Sequence, residues 1–196
     1  MTERVIASRL RIYLAGPEVF LPDAAAVGAA KQALCASFGF IGLYALEPSA
    51  APPPDAEPFE RAAVIFRHCV AQMNQADLAI ANLTPFRGTG ADPGTAFEVG
   101  YMVAAGKRVF AYTNVAVSLE ARVRTAAGGR LDAAPDGGWR DPEGLAVEPF
   151  GLAENLMLAC ATAAPLVVHD APVADRFRDL TAFRRCLEQV KAAFGR

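Results

Sequence analysis

The chain has 196 residues, of which 53% are hydrophobic and 20% are charged, and its formal net charge at pH 7 is -2. This composition fits one globular domain, residues 1–196, and shows no acidic or basic tail that would favour nucleic acid or an anionic membrane as a partner. No apolar run approaches the ~20 residues of a membrane-spanning helix, and the N-terminus lacks the layout of a signal peptide, so we expect a cytoplasmic protein.

The hydrophobic pattern predicts strands that alternate with helices. Strands are expected at 5–15, 40–46, 76–83, 107–113 and 165–170. Helices are expected at 24–38, 59–75, 94–105, 154–163 and 174–194, the first of them capped by Asp23 and stopped by Gly39. The proline-rich run 47–58 is predicted to be a surface loop, and 128–151, rich in glycine and proline, to hold little regular structure.

This alternation implies βαβ units, and therefore a mostly parallel sheet with helices on both faces. Binding sites in such sheets lie beyond the carboxyl ends of the strands. Three loops meet that rule, those after Ala15, Leu83 and Tyr112. The long loops at 47–58 and 128–151 could close over them.

Cysteines and histidines are few and scattered. Cys35, Cys69, Cys160 and Cys186 form no C-x-x-C pair, which is typical of reduced thiols in a cytosolic protein. Two histidines are too few for a histidine-rich metal site, and neither G-x-S-x-G nor H-E-x-x-H occurs. The sequence therefore indicates carboxylate chemistry, with no metal and no cofactor.

The stretch FRGTGADPGTAFEVGY, residues 86–101, connects the third strand to a helix. As a dinucleotide-binding loop it would read G-x-G-x-x-P from Gly88, whereas the fingerprint ends in Gly or Ala and follows the first strand. Asp92 within the loop would also repel phosphate. These features argue against a nucleotide cofactor.

Two structural interpretations of this stretch remain open. Thr95 and Glu98 have the spacing of a capping box, and Asp92 followed by Pro93 is equally a common helix start. A catalytic interpretation uses the same residues. Glu98 in a first helical turn would be kept ionised by the helix dipole and could attack an anomeric carbon, with Asp92 as a second carboxylate in the cleft.

Three segments carry a resemblance to a known family: RIYLAGPEVF, ADLAIANLTPFRGTGADPGTAFEVGY and VEPFGLAENLML. Their order and spacing, over roughly residues 9–160, resemble those of nucleoside 2-deoxyribosyltransferases. The resemblance implies an α/β fold, a flavodoxin-like or Rossmann-like three-layer sandwich with a mostly parallel central sheet of about five strands. It also implies exchange of the base of a 2′-deoxynucleoside for another free purine or pyrimidine base, with slow hydrolysis when water replaces the acceptor.

By the same resemblance, Glu98 is the nucleophile, Asp92 exchanges a proton with the bases, and the Tyr13 hydroxyl holds the Glu98 carboxylate. The substrate-binding residues that it implies are Gly16, Pro17, Phe20, Cys69, Gly94, Asn155 and Met157. In the family, the Asn and Met reach in from a neighbouring subunit, which implies a homodimer or a higher homo-oligomer. Cys69 stands where relatives often carry Asp or Asn near the base, so we expect altered base recognition.

Structural alternatives accompany these roles, since Tyr13 and Met157 would otherwise be core side chains and Asn155 a residue near a helix start. Two other functions also remain open. One is hydrolysis of a 2′-deoxynucleoside 5′-monophosphate, with Arg87 as the candidate for the phosphate and Glu18 opposing an anion. The other is a non-catalytic nucleotide-binding module of the same fold.

Overall fold

The computed structural model describes residues 9–46, 55–135 and 137–195. Residues 5–8 of the first predicted strand and most of the predicted proline-rich loop, 47–54, lie outside these ranges. None of the described helices is long and apolar enough to cross a membrane.

A central sheet of five parallel strands forms the middle of the molecule. The strands are β1 (Arg11–Ala15), β2 (Ile41–Tyr44), β3 (Leu78–Asn82), β4 (Arg108–Thr113) and β8 (Val167–Val168), the last preceded by three short strands described below. Their spatial order is β2-β1-β3-β4-β8. Tyr13 pairs with Leu43 on one side and with Ala79 on the other.

Helices cover both faces of the sheet. They are α1 (Ala24–Ser37), α2 (Pro58–Gln75), α3 (Pro93–Ala104), α4 (Leu119–Ala126), α5 (Leu156–Ala159) and α6 (Thr181–Ala193), and a 3-10 turn spans Pro17–Phe20. One core cluster lies between the sheet and α1 with α6, and the other lies between the sheet and α2 with α3. The predicted three-layer α/β sandwich is therefore confirmed.

Strand alternation decides which layer each residue of β1 faces. Ile12 and Leu14 belong to the cluster on the α1 and α6 side, whereas Tyr13 and Ala15 belong to the cluster on the α2 and α3 side. The Tyr13 side chain is thus directed toward the helix that carries Glu98.

The structure differs from the prediction in several connections. Segment 128–151 contains a small antiparallel sheet of two-residue strands, β5 (Asp132–Ala133), β6 (Trp139–Arg140) and β7 (Ala146–Val147). Positive-φ glycines such as Gly137 and Gly144 supply the turns between these strands. The predicted helices at 154–163 and 174–194 are shorter than expected, because residues before Leu156 and Thr181 form turns and caps.

Helix α4 was not predicted. None of its residues is fully buried, so it lacks the apolar stripe on which sequence patterns depend. Local interactions support it instead: the Ser118 hydroxyl accepts a hydrogen bond from the Ala121 N–H, and Arg124 bonds to Glu120 four residues earlier.

Candidate active site

The site lies where the order of the strands reverses. From β1 the chain continues to β2 on one side, and β3 then returns to the other side of β1. In an open parallel sheet, ligands bind in the crevice outside the carboxyl ends at such a point. A cavity of about 400 Å³ lies there, and six of the predicted site residues line it: Gly16, Phe20, Cys69, Asp92, Gly94 and Glu98.

Asp92 begins helix α3. It is the N-cap, with Pro93 as the first helical residue, and its Oδ2 accepts hydrogen bonds from the Thr95 N–H at 2.9 Å and the Thr95 hydroxyl at 3.1 Å. Of the two interpretations of the helix start, the Asp92 cap is therefore confirmed and the Thr95–Glu98 capping box is wrong. Glu98 consequently lies in the second turn, not the first.

Glu98 meets Tyr13 at the cavity. The Tyr13 hydroxyl donates a hydrogen bond of 2.5 Å to Glu98 Oε1, and Tyr13 itself is completely buried. Burial, followed by the nearby charge of Glu98, raises the pKa of Tyr13 well above its ordinary value, so its hydroxyl remains a donor. This contact fixes the direction of one carboxylate oxygen.

The pKa of Glu98 contradicts the expectation of an ionised residue held by the helix dipole. The pKa of Glu98 is raised to about 7: burial is the largest cause, the hydrogen bond from Tyr13 opposes it, and the charges of Asp92 and Glu18 add to the rise. Desolvation outweighs the hydrogen bond from Tyr13. The helix dipole acts mainly within the first turn, and Glu98 lies beyond it. At neutral pH the burial of Glu98 therefore favours the protonated form far more than water does.

Cys69 reaches the cavity from α2 and is half-buried. Burial raises the pKa of its thiol, and an interaction with the Tyr13 hydroxyl opposes that rise. The side chain is therefore an uncharged thiol at neutral pH, a weak hydrogen-bonding group. It stands beside the Tyr13–Glu98 pair.

The turn after β1 forms another wall. A Cβ at Gly16 would stand 2.0 Å from Glu18 Oε2 and 2.9 Å from Asn82 Cβ, so only glycine fits there. Pro17 begins the 3-10 turn and is buried, but it is not part of the cavity lining. Phe20 is 54% exposed and stacks on Phe86 with their ring centroids 5.1 Å apart.

Glu18 is buried beneath the turn that follows β1. It is 1% exposed, and its Oε1 accepts hydrogen bonds from Lys31 Nζ at 2.6 Å, Asn82 Nδ2 at 2.8 Å and Tyr112 Oη at 3.0 Å. Its Oε2 lies against Gly16, which lines the cavity, and the charge of Glu18 acts on Glu98. That Glu18 opposes an anion in the cleft stays a prediction.

Asn155 and Met157 do not reach the Glu98 cavity of their own chain. Both line a second cavity of about 670 Å³, which Gly90 and Ala91 of the glycine loop also border. Asn155 caps α5 by accepting from the Met157 N–H at 2.9 Å, and its Nδ2 donates to Glu148 Oε1 at 2.5 Å. Met157 is 72% exposed, so it is open to contact from outside the chain.

Sequence reasoning missed half of the cavity lining. The missed residues are Leu14, Val19, Ala45, Leu46, Ile65 and Thr95. Only Thr95 had a visible signal, since it lies in the pattern D-x-G-T-x-x-E that runs from Asp92 to Glu98. The others are ordinary apolar residues of strand ends and helices, and their sequence pattern predicts side chains of the hydrophobic core rather than of a binding site. Among the described residues, no group of three or more His, Cys, Asp or Glu side chains is arranged to hold a metal ion.

Comparison with known proteins gives a consistent result. The family model described as nucleoside 2-deoxyribosyltransferase matches residues 12–157, well over half of the chain. An uncharacterized protein of Schizosaccharomyces pombe is 32% identical over 161 residues, which cover 74% of each chain.

Solved structures agree with this match. A 2-deoxyribosyltransferase from Leishmania mexicana is 29% identical, with a TM-score of 0.62 over 91% of this chain and 97% of that one. A conserved protein from Enterococcus faecalis V583 is 18% identical, with a TM-score of 0.53 over 93% of this chain and 99% of that one, and it supports the fold alone.

Proposed function

The chain belongs to the nucleoside 2-deoxyribosyltransferase family, and from that premise we propose that it exchanges the base of a 2′-deoxyribonucleoside through a deoxyribosyl–Glu98 intermediate. One observation carries the proposal: Glu98 and Asp92 line the same cavity, and Tyr13 holds the Glu98 carboxylate by a 2.5 Å hydrogen bond. An oriented carboxylate nucleophile beside a second carboxyl group suits retaining glycosyl transfer.

The first half-reaction forms the intermediate. A Glu98 carboxylate oxygen attacks C1′ from the face opposite the base. The C1′–N bond breaks, its electron pair stays with the base, and Asp92 in its acid form donates a proton to that base. The products are the free base, an Asp92 carboxylate and an ester between Glu98 and C1′.

The second half-reaction transfers the sugar. A nitrogen of the incoming base attacks C1′, the ester C–O bond breaks, and Glu98 recovers its charge while Asp92 takes the proton of the attacking nitrogen. Two inversions at C1′ give net retention. Water in place of the second base would complete a hydrolysis.

We also propose that the site is completed by a second copy of the chain. Met157 is 72% exposed, and the aromatic side chains of Phe66 and Phe97, on α2 and α3, are 54% and 50% exposed while contacting each other. A surface of this kind favours association between protein chains. Asn155 and Met157 would then enter the neighbouring chain's site, where Asn155 would bind the 5′-hydroxyl of the sugar.

The exchange assay tests the proposal directly. Incubation of 2′-deoxyinosine with adenine is expected to give 2′-deoxyadenosine and hypoxanthine, separated by chromatography, and thymidine as donor reports whether pyrimidines are accepted. Glu98→Gln should lose exchange by several orders of magnitude, since no other nucleophile is in place. Acid-quenched protein should carry a deoxyribosyl group on Glu98. An absent adduct together with full exchange by Glu98→Ala would overturn the mechanism.

A second candidate is an N-glycosidase acting on 2′-deoxynucleoside 5′-monophosphates. The Arg87 guanidinium lies over the rings of Phe20 and Phe86, at 5.1 and 4.6 Å from their centroids, beside the cavity that Phe20 lines. Lys31 pairs with Glu18 and offsets part of its negative charge near the cavity. Turnover of the 5′-monophosphate but not of the nucleoside would favour this hydrolase.

A non-catalytic nucleotide-binding module makes a different prediction. Ligand would bind without release of the base, and Glu98→Gln would bind as the parent does.

The four cysteines are free thiols, which supports the reducing, cytoplasmic setting that we propose for the exchange of nucleosides.

A further inference from the structure

Arg122, on helix α4, bonds to three separate segments of the chain. Its side chain is 10% exposed, and four of its five N–H groups have partners. Nε donates to the Thr89 carbonyl at 2.7 Å, and Nη1 donates to the Val117 carbonyl at 2.5 Å and the Ala153 carbonyl at 2.8 Å. Nη2 donates to Glu154 Oε2 at 3.2 Å.

One of these contacts holds the loop of the Glu98 cavity. Thr89 stands three residues before Asp92 in the glycine loop. The loop is also closed internally, since the Phe86 N–H donates to the Gly90 carbonyl at 2.9 Å. Arg122 thereby holds the part of the glycine loop that lies nearer to β3. The other end of this loop is Asp92, the carboxyl group proposed to transfer the proton.

The other contacts hold the segment before α5. Glu154 is 1% exposed, and its Oε1 accepts from the Asn155 N–H at 2.9 Å. The same oxygen lies 3.3 Å from where a Cβ of Gly90 would stand, so the carboxylate also packs against the glycine loop. The Arg122–Glu154 pair therefore lies between the Asp92 loop and the start of the Asn155 helix.

We propose that Arg122 is a positioning residue for two parts of the catalytic machinery, the loop that ends in Asp92 and the segment that begins α5 with Asn155. The inference rests on the function proposed above. Through the Asp92 loop Arg122 would serve the site of its own chain, and through Asn155 it would serve the site of the neighbouring chain. The planar fork of arginine suits this task, since a lysine ammonium cannot reach four acceptors in separate directions.

The first test compares Arg122→Lys with Arg124→Lys on the same helix. Arg124 contacts Glu120 and the ring of Trp139 rather than the Thr89 loop or Glu154, so it is the matched control. Each variant is assayed with 2′-deoxyinosine and with 7-methyl-2′-deoxyinosine as donors. The methylated base already carries a positive charge and leaves as a neutral molecule, so its departure needs no proton from Asp92.

For Arg122→Lys we expect kcat to fall about tenfold to a hundredfold with 2′-deoxyinosine, because a small displacement of a catalytic group costs this much. With the methylated donor most of the rate should remain. Arg124→Lys should match the parent with both donors. A change in packing alone would slow both donors equally, so the ratio between donors isolates the effect on Asp92.

The second test concerns Asn155 and uses mixed oligomers. In pure Arg122→Lys protein the Asn155 segment is also displaced, so KM for the nucleoside should rise. When Arg122→Lys is mixed with excess Glu98→Ala chains, each surviving Glu98 site receives an intact Asn155 segment. KM should return to the parent value, while the kcat defect with 2′-deoxyinosine should persist because the Asp92 loop belongs to the variant chain.

Thermal unfolding first establishes that Arg122→Lys is folded. A folded variant with parent kinetics, or with equal losses for both donors, overturns the Asp92 half of the inference. A KM that mixing leaves raised overturns the Asn155 half. If the parent releases no base from either donor, the proposed exchange function itself fails. If the parent is active and Arg122→Lys has the same kinetics, only the role of Arg122 is refuted.

Discussion

Replacement of Tyr13 by phenylalanine should raise the pKa of Glu98. The Tyr13 hydroxyl donates to the Glu98 carboxylate at 2.5 Å, and this bond lowers a pKa that burial has raised to about 7. A hydrogen bond to the charged form favours that form, so its removal favours the protonated acid. Phenylalanine keeps the ring that packs in the completely buried position, so the core should stay intact.

The size of the effect follows from the strength of the bond. A hydrogen bond to a charged group contributes about 1.5–3 kcal/mol, and about 1.4 kcal/mol corresponds to one pKa unit. The lower end of that range corresponds to a rise of about one unit. At pH 7 the ionised fraction of Glu98 then falls from about one half to about one tenth, a loss of roughly fivefold in rate.

The assay is the pH dependence of kcat/KM for base exchange, from about pH 5.5 to about pH 9, because this parameter reports the pKa values of the free enzyme. Parent activity should fall as the pH drops through about 7, and Tyr13→Phe activity should fall about one unit higher. At about pH 9 the two proteins should converge, apart from any loss of orientation. The reasoning would be refuted if the activity of the parent fell only near the ordinary pKa of 4.5, or if the activities of both proteins fell at the same pH.

Three further changes test the same packing by its effect on stability. The folded-state pKa of Glu98 lies above its ordinary value of 4.5, so its ionisation costs stability as the pH rises from about 4.5 to about 7. Glu98→Gln should therefore raise the free energy of unfolding by on the order of 1 kcal/mol at about pH 8, as measured by urea titration. At about pH 4 it should leave this free energy unchanged. Gly16→Ala should cost about 1–3 kcal/mol because its Cβ meets a buried carboxylate at 2.0 Å, whereas Gly88→Ala, with no atom nearer than 4.0 Å, should change stability by less than about 0.5 kcal/mol. Lys31→Met leaves Glu18 buried without its cation and should cost about 3–5 kcal/mol, and adding Glu18→Gln should recover part of that loss if the pair is the cause.

Much of the candidate site was readable because its residues fall in short motifs. Gly16 and Phe20 follow the first strand, and Asp92, Gly94 and Glu98 follow the third, so a parallel sheet brings them to one edge. Their chemical roles stay predictions. The apolar half of the lining was not readable, because residues such as Ile65 and Leu46 have the pattern of any core side chain.

Arg122 shows a different limit. Its helix has no buried stripe, and its partners, Thr89 and Glu154, lie 33 and 32 residues away. Three of its four bonds go to backbone carbonyls, which every residue possesses. No residue pattern in the chain therefore marks it.

The sequence by itself determined the alternation of strands and helices and the parallel sheet that this alternation requires. It also indicated the family, through the D-x-G-T-x-x-E stretch from Asp92 to Glu98. These are consequences of local periodicity and of short motifs, which need no distant contacts. The tertiary structure alone decided the raised pKa of Glu98 and the partners of Glu18. Tyr13 and Glu98 are 85 residues apart, and the water that each loses depends on how α2, α3 and the turn after β1 pack around them.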